Sequence, residues 1–231
     1  MRSVERDVRL LILAASAGSA DGWSYFGLGH AFVANMTGNT VLLGIAVFQN
    51  PGDLLHPAIS LGCYAAGVVI GSLLTRNVRP GSAWSRAISW TLMLEAFLLL
   101  AAEAGWVAIH VRASHSPSLD LLLATVALAI GMQSGAMVQL KIPGIVTTYI
   151  TGTWTTMLSG LVRLARGERQ QDRGQDLEFE QRLLLQAAVL SAYFLSAVLT
   201  GWLFQHLPLA VGALPGLCIL LVAVRGLIYN V

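Results

Sequence analysis

Long apolar runs dominate the hydrophobic pattern of this chain. A helix needs roughly 20 consecutive apolar residues to cross the hydrocarbon core of a bilayer, and several runs reach that length. The pattern predicts an all-α integral membrane protein that forms a single membrane domain over residues 1–231. The six predicted transmembrane helices lie at about residues 8–29, 57–75, 87–111, 119–140, 183–204 and 209–229.

Two shorter apolar stretches, residues 40–48 and 145–162, decide the number of crossings. Short cytoplasmic loops of membrane proteins collect Lys and Arg. If both stretches cross, giving eight spans, four of the fourteen Lys and Arg residues fall outside: Arg76, Arg79, Arg86 and Lys141. If both enter and leave on the same side, only Arg112 falls outside. The charges therefore favour six crossings with both termini in the cytoplasm, and eight crossings remain the alternative.

Composition agrees with a membrane protein and argues against a nucleic-acid-binding or metal-binding protein. Hydrophobic residues make up 55% of the chain and charged residues 11%, whereas soluble domains carry about 25% charged residues. The net charge of +2 is small and no basic patch with interleaved aromatics occurs, so no nucleic-acid partner is predicted. Cys63 and Cys218 lie in apolar runs without metal-ligand spacing, and we predict neither a metal nor a cofactor.

The chain contains an internal repeat. Residues 8–111 and 119–229 each hold a first helix with glycines, a short Thr-Gly segment, a helix with small residues four apart and a last helix. Three crossings in each half give the copies opposite orientations, as in many secondary transporters. The polar linker loop 163–182 lies within the second copy. Gly18, Gly22, Thr37, Gly38 and Tyr64 align, in that order, with Gly131, Gly135, Thr151, Gly152 and Tyr193.

The Thr-Gly segments predict broken or re-entrant half-helices. In AFVANMTGNTVLLG, residues 31–38 would enter the bilayer as irregular chain, and Gly38 would permit the turn. Asn39 or Thr37 would then cap the helix that returns. Residues 145–152 would do the same in the second half, with Thr153 or Thr151 as the cap. Irregular backbone at this depth is tolerated only where it is buried in protein or lines water.

Two half-helix N-termini that face each other near the midplane would attract an anion, because each carries partial positive charge and free N–H groups. The alternative is that the same polar side chains only satisfy backbone groups and join helices. The residues predicted to bind substrate are Asn35, Thr37, Gly38, Asn39, Gln133, Thr148, Thr151, Gly152 and Thr153.

Three carboxyl groups lie within apolar runs. Ionisable residues at this depth usually face the bundle interior and often relay protons or bind ions. Asp21 and Glu95 are the predicted coupling residues, and Asp21 is preferred because Gly18 and Gly22 flank it. Glu103 lies nearer the outer end, where contact with the headgroups is the default expectation.

Two stretches, SADGWSYFGLGHAFVANMTGNTVLLG and GMQSGAMVQLKIPGIVTTYITGT, resemble the signature regions of the YoaK-like family of bacterial inner-membrane proteins, catalogued as domain of unknown function 1275. The resemblance implies a multi-pass protein of the bacterial inner membrane and supplies no substrate. Ser134 stands where an Asn is expected. The matching positions are Asp21, Met36, Thr37, Gly38, Asn39, Gly44, Gly131, Gln133, Thr148, Thr151 and Gly152.

The inverted repeat predicts a small secondary transporter or channel for a small anion or metabolite, with proton coupling as an option. The alternative is a membrane scaffold or accessory protein whose polar motifs only pack helices. Enzyme activity is not predicted, since the chain has no HExxH, GxSxG or Cys/His cluster. Six crossings are few for a transporter, which makes a homodimer plausible.

Overall fold

The chain folds as a bundle of helices. The computed structural model describes residues 2–49, 51–78, 84–112, 118–140, 150–167 and 173–228. Within these ranges all regular structure is helical, and two 3-10 turns, Pro51–Leu54 and Pro208–Ala210, precede α3 and α8. The α-helices are α1 (Arg2–Gly27), α2 (Met36–Gln49), α3 (Leu55–Leu74), α4 (Arg86–Arg112), α5 (Ser118–Val138), α6 (Ile150–Ala165), α7 (Arg173–His206) and α8 (Ala213–Ile228).

Five segments of the described chain are long and apolar enough to cross a membrane. They coincide with five of the six predicted spans. The sixth, residues 8–29, is helical up to Gly27 but is too polar to belong to this group. The five are Gly52–Leu74, Arg86–Ile109, Leu119–Val138, Asp176–His206 and Pro208–Ile228.

The polarity of α1 has a structural reason. Most of its side chains between Arg9 and Ser24 are buried, so they contact protein and not lipid. Ser19, for example, donates a hydrogen bond to the backbone carbonyl of Ser16 at 2.9 Å. A helix that other helices surround needs no apolar outer face. Hydropathy alone therefore underestimates how deeply such a helix is buried in the bundle. The other largely buried helix is α5.

The helices pack in a regular pattern of pairs. The central helix α1 packs against α7 and α8, and α5 packs against α3 and α4. Helix α4 also packs along α8, while the short helices α2 and α6 lie against α3 and α7. Every one of these contacts joins one half of the chain to the other, except those of α2 with α3 and of α6 with α7.

Glycines set the distance between α3 and α5. A Cβ atom at Gly67 would overlap the backbone carbonyl of Leu128, and one at Gly71 would overlap the carbonyl of Met132. From the other side, Gly131 faces the backbone of Tyr64. Small residues four apart permit such close approach in membranes. The small-residue surface of α3 therefore faces the second half of the same chain.

Two of the described helices belong to no spanning segment. Helix α2 has 14 residues and α6 has 16, which correspond to about 21 and 24 Å against a hydrocarbon core of about 30 Å. Helix α8 also has 16 residues, but together with the 3-10 turn that precedes it, it forms the 21-residue segment Pro208–Ile228. Helices α2 and α6 include most of the short apolar stretches at 40–48 and 145–162. Helix α7 begins at Arg173, so residues 173–182 of the predicted linker loop are helical.

Candidate functional site

An irregular segment, residues 28–35, connects α1 to α2 and is held by one buried carboxyl group. One oxygen of Asp21 accepts the backbone N–H groups of Val33 and Ala34, both at 2.7 Å, and that of Asn35 at 3.4 Å. The other oxygen accepts a hydrogen bond from the hydroxyl of Tyr193 on α7. Asp21 thus ties α1, the irregular segment and α7 together.

The chain reverses direction before the Thr-Gly motif. Gly29 has φ 106° and His30 has φ 59°, the left-handed region that glycine favours. The prediction that Gly38 permits the turn is therefore wrong, because Gly38 lies in the first turn of α2. It is packed against Phe32 and Asn35, where a Cβ atom would lie 2.9 Å from the Phe32 ring.

Helix α2 is capped by Asn35. Its side-chain oxygen accepts the backbone N–H of Gly38 at 3.1 Å, the N-cap to N3 bond of a typical helix start. The prediction that Asn39 or Thr37 caps this helix is wrong. The Asn39 amide instead accepts the N–H of Phe32 at 2.8 Å and donates to its carbonyl at 2.6 Å, as a neighbouring strand would. It also donates to Ser60 on α3 at 3.0 Å.

The N-termini of α2 and α6 open onto one cavity of about 430 Å³. Helix α6 begins at Ile150, so Thr151 lies in its first turn, as Thr37 does in α2. Among the described residues that line the cavity, none carries a charge. They are Ala34, Asn35, Met36, Thr37, Tyr64, Val68, Ser134, Val138, Ile150, Thr151 and Tyr193.

Two tyrosines on opposite sides of the cavity take part in equivalent hydrogen bonds. Tyr193 of α7 donates to Asp21 of α1, and Tyr64 of α3 donates to Ser134 of α5 at 2.9 Å. Both tyrosines were absent from the predicted binding residues. The repeat alignment pairs the two tyrosines with each other, and because it aligns Gly22 with Gly135 it also places Asp21 opposite Ser134. This double pairing is the signal that could have identified them.

The predicted binding residues divide into three groups. Asn35, Thr37 and Thr151 line the cavity. Thr148 lies outside the described residues. The third group does not belong to the described lining and consists of Gly38, Asn39, Gln133, Gly152 and Thr153. Of these, Asn39, Gln133 and Thr153 are almost fully buried.

Comparison with known proteins places the chain. The family described as "Protein of unknown function (DUF1275)" matches residues 9–225. The chain belongs to this family. It is also similar to the UPF0700 transmembrane protein YoaK of Bacillus subtilis (strain 168), with 29% identity over 202 residues that cover 85% of this chain and 83% of YoaK. No solved structure matches the chain.

This DUF1275 protein, with five helices able to span a bilayer and a transmembrane relative, is a multi-pass membrane protein.

Two further carboxyl groups among the described residues are buried besides that of Asp21. Glu103 is only 8% exposed and accepts the backbone N–H of Gly212 at 3.0 Å, just before α8 begins. Glu103 therefore faces the bundle, where it lies at the N-terminus of α8, a position that favours a carboxylate. The expected contact with headgroups stays a prediction. Glu95, the third carboxyl, is fully buried on α4.

Proposed function

We propose that this protein is a small secondary transporter or channel of the bacterial inner membrane, without enzymatic activity, for a small anion or anionic metabolite. The observation that carries the proposal is the cavity of about 430 Å³ between the N-termini of α2 and α6. Transporter sites typically lie where discontinuous helices from two repeats meet, with half-helix N-termini aimed at anionic groups of the substrate.

The packing of the helices supports an inverted repeat. If residues 8–111 and 119–229 are the two copies, α1 to α4 correspond to α5 to α8. Exchanging the copies turns the pair α1 and α7 into α5 and α3, the pair α1 and α8 into α5 and α4, and the pair α2 and α3 into α6 and α7. All of these pairs are in contact. The pair α4 and α8 maps onto itself, as expected on a pseudo-twofold axis.

The positions of the short helices support six crossings with two re-entrant segments. The C-terminal end of α2 contributes Gln49 to a second cavity of about 520 Å³ that Gly29 and His30 also line. Helix α2 therefore returns to the side on which α1 ends. In the second half, α6 ends beside the start of α7, where Arg163 lies over the ring of Phe179. Helix α7 runs parallel to α1, and α5 runs parallel to α3. Helix α7 therefore begins on the side where α5 ends, so α6 returns to that side.

The chemistry of the cavity favours a small, singly or weakly charged anion. Binding pockets for small ligands usually measure about 300 to 1,000 Å³, so this one has room for an inorganic anion or a compact metabolite. Hydroxyl and amide groups of Asn35, Thr37 and Thr151 provide hydrogen bonds, and two helix N-termini provide partial positive charge. Without a cationic side chain among the described lining residues, release of the anion is not hindered by a strong ion pair.

Cysteine accessibility tests the proposal. Thr37→Cys and Thr151→Cys would be made singly in a protein whose Cys63 and Cys218 are replaced, then treated with an impermeant thiol reagent from either side of sealed vesicles. We expect both positions to react and small anions to slow the reaction. Thr40→Cys and Thr155→Cys are matched controls, because these threonines are exposed on the same two helices but are not in the described cavity lining.

Two cysteines that do not react would contradict the proposal. If Thr37→Cys and Thr151→Cys fail to react from both sides while an exposed control such as Arg166→Cys reacts, the cavity is dry. The motifs would then serve packing only, as expected of a scaffold or accessory protein. Cross-linking in the same vesicles would test the predicted homodimer.

A further inference from the structure

The three carboxyl groups inside the bundle differ in what surrounds them. Asp21 accepts four hydrogen bonds, three from backbone N–H groups and one from Tyr193. Glu103 accepts the N–H of Gly212 at 3.0 Å. Glu95 is 0% exposed, and neither of its carboxyl oxygens has a hydrogen-bond partner in the part of the chain that the structure describes. Glu95 is therefore the buried carboxyl that no fixed donor stabilises as an anion.

Glu95 lies deep in the bundle. It is nine residues along α4 from Arg86, a rise of about 14 Å. Leu92, Ala96 and Leu99, the neighbours one turn away or adjacent on α4, are core residues. On α8, Gly226 packs beside Ser89 and Gly216 packs beside Leu100, so Glu95 sits between these two contacts along the α4–α8 pair.

Among the described residues, no ionisable group pairs with Glu95. The 3-10 turn before α8, which also packs against α4, carries no ionisable side chain. None of the described ionisable groups on the helices that contact α4 forms a hydrogen bond or ion pair with Glu95. These groups are Asp120 on α5, Cys218 and Arg225 on α8, His56, Cys63 and Tyr64 on α3, and Glu5, Arg6, Asp7, Arg9, Asp21 and Tyr25 on α1. Several of them have other partners, since Asp120 pairs with His56 and Arg9 with Glu5.

The two environments impose opposite charge states. A carboxylate without donors or a counter-charge is very unfavourable in an apolar interior, and such a group takes up a proton instead. A carboxyl group that only accepts hydrogen bonds, from several backbone N–H groups and a phenol, is stabilised as the anion. Protonation of Asp21 would put a proton where four donors already point, and it would release the irregular segment before α2.

We propose that Glu95 is the group that binds and releases the coupling proton, whereas Asp21 remains a carboxylate and positions the N-terminus of α2. This inference rests on the proposed transport function. In the packed bundle Glu95 holds a proton taken from water. Loss of that proton to water leaves a carboxylate that the apolar core does not tolerate, so it requires α4 to separate locally from α8 or α5 until water reaches the side chain. Proton occupancy of Glu95 and opening of the bundle are thereby linked.

Infrared spectroscopy of the protein in lipid vesicles tests which carboxyl holds the proton. A protonated carboxyl has a C=O stretching band distinct from the bands of a carboxylate. We expect this band at neutral pH in the native protein, its loss in Glu95→Gln, and its retention in Asp21→Asn and Glu103→Gln. Glu95→Gln should fold, since glutamine mimics the neutral acid. Loss of the band in folded Asp21→Asn or folded Glu103→Gln, or its persistence in folded Glu95→Gln, would overturn the assignment. The amide bands of the same spectra show whether each variant keeps its helices, and one folded variant is enough for the test.

The pH dependence of labelling tests coupling in the same vesicles. Every cysteine reacts faster as its thiolate fraction rises with pH, so the rate at Thr37→Cys is divided by that at the exposed control Arg166→Cys. We expect this ratio to change with pH when Glu95 is present and to become independent of pH when Glu95→Gln is added. Unchanged pH dependence would exclude Glu95 as the coupling group. Absence of labelling at every pH would contradict the transport proposal and with it the coupling role, whereas the infrared band would still establish which carboxyl is protonated.

Discussion

Two contacts between the halves of the molecule have the same geometry and different chemistry. Asp21 on α1 accepts a hydrogen bond from the hydroxyl of Tyr193 on α7. At the aligned contact, Ser134 on α5 accepts one from the hydroxyl of Tyr64 on α3 at 2.9 Å. The first contact holds a carboxyl group with three further backbone donors, and the second joins two hydroxyl groups. The same helix packing therefore carries one carboxyl and one hydroxyl version of the contact.

Glycines are distributed differently at the two contacts. The α3–α5 contact has glycine on both sides, with Gly67 against Gly131. In the α1–α7 contact, Gly18 lies against the backbone carbonyl of Tyr193 and the side chain of Ser196. We infer that close backbone packing holds both contacts, and that the hydrogen bonds of Asp21 are an addition found only at the α1–α7 contact. Because Asp21 also holds the irregular segment before α2, the start of this half-helix depends on it.

Removing Asp21 should produce the largest effect. Asp21→Ala leaves three backbone N–H groups and a phenol without their acceptor, and each unsatisfied buried donor costs about 1 to 3 kcal/mol. We expect a loss of at least about 3 kcal/mol of stability, whereas Ser134→Ala, the matched change, should cost about 1 kcal/mol. Unfolding of both variants in the same detergent measures the difference, and equal losses would contradict the asymmetry.

Removing the tyrosine hydroxyls should reproduce the difference between the two contacts, with smaller losses of stability. Tyr193→Phe removes a hydrogen bond to a carboxyl group, which is worth about 1.5 to 3 kcal/mol if that group is charged, and Tyr64→Phe removes a neutral bond worth about 1 kcal/mol. The ring stays in both variants, so packing is conserved. A double-mutant cycle with Asp21→Asn isolates the first pair. A larger loss for Tyr64→Phe would show that Asp21 is not the charged anchor.

The sequence predicts the lipid-facing helices well, because those helices must be apolar over a fixed length. It is less informative about α1, whose polar residues reflect protein neighbours rather than lipid. The repeat alignment pairs Tyr64 with Tyr193 and Asp21 with Ser134, yet it could not show that each tyrosine forms a hydrogen bond with one member of the other pair. That contact depends on how α1 lies against α7 and α5 against α3, which no local pattern encodes.

The wrong predictions about the turn and the cap at the start of α2 have a similar cause. Asn35 and Asn39 are one turn apart, and each has the chemistry of an N-cap. Which of them caps α2 depends on where the irregular segment ends, and Asp21 fixes that point through residues 12 to 14 positions later in the chain. A hydrogen bond across that distance cannot be read from spacing. Thr37 and Thr151 could be predicted because the two motif copies share this threonine, and Asn35 because it is an amide just before the first copy.

Substitutions of Asn35 should have the smallest effect on stability, and they distinguish a capping role from a role in anion binding. Asn35→Ala should cost about 1 kcal/mol through loss of the N-cap, whereas Asn35→Asp retains an equally good cap. Thr40→Ala is the control, because its hydroxyl bonds only the Met36 carbonyl of its own helix. Asn35→Asp adds a negative charge to the cavity lining. If the cavity binds an anion, this variant keeps its stability but loses the protection that small anions give Thr151→Cys against thiol labelling. If protection survives in Asn35→Asp, Asn35 serves only as a cap, and the two half-helix N-termini are not a joint anion site.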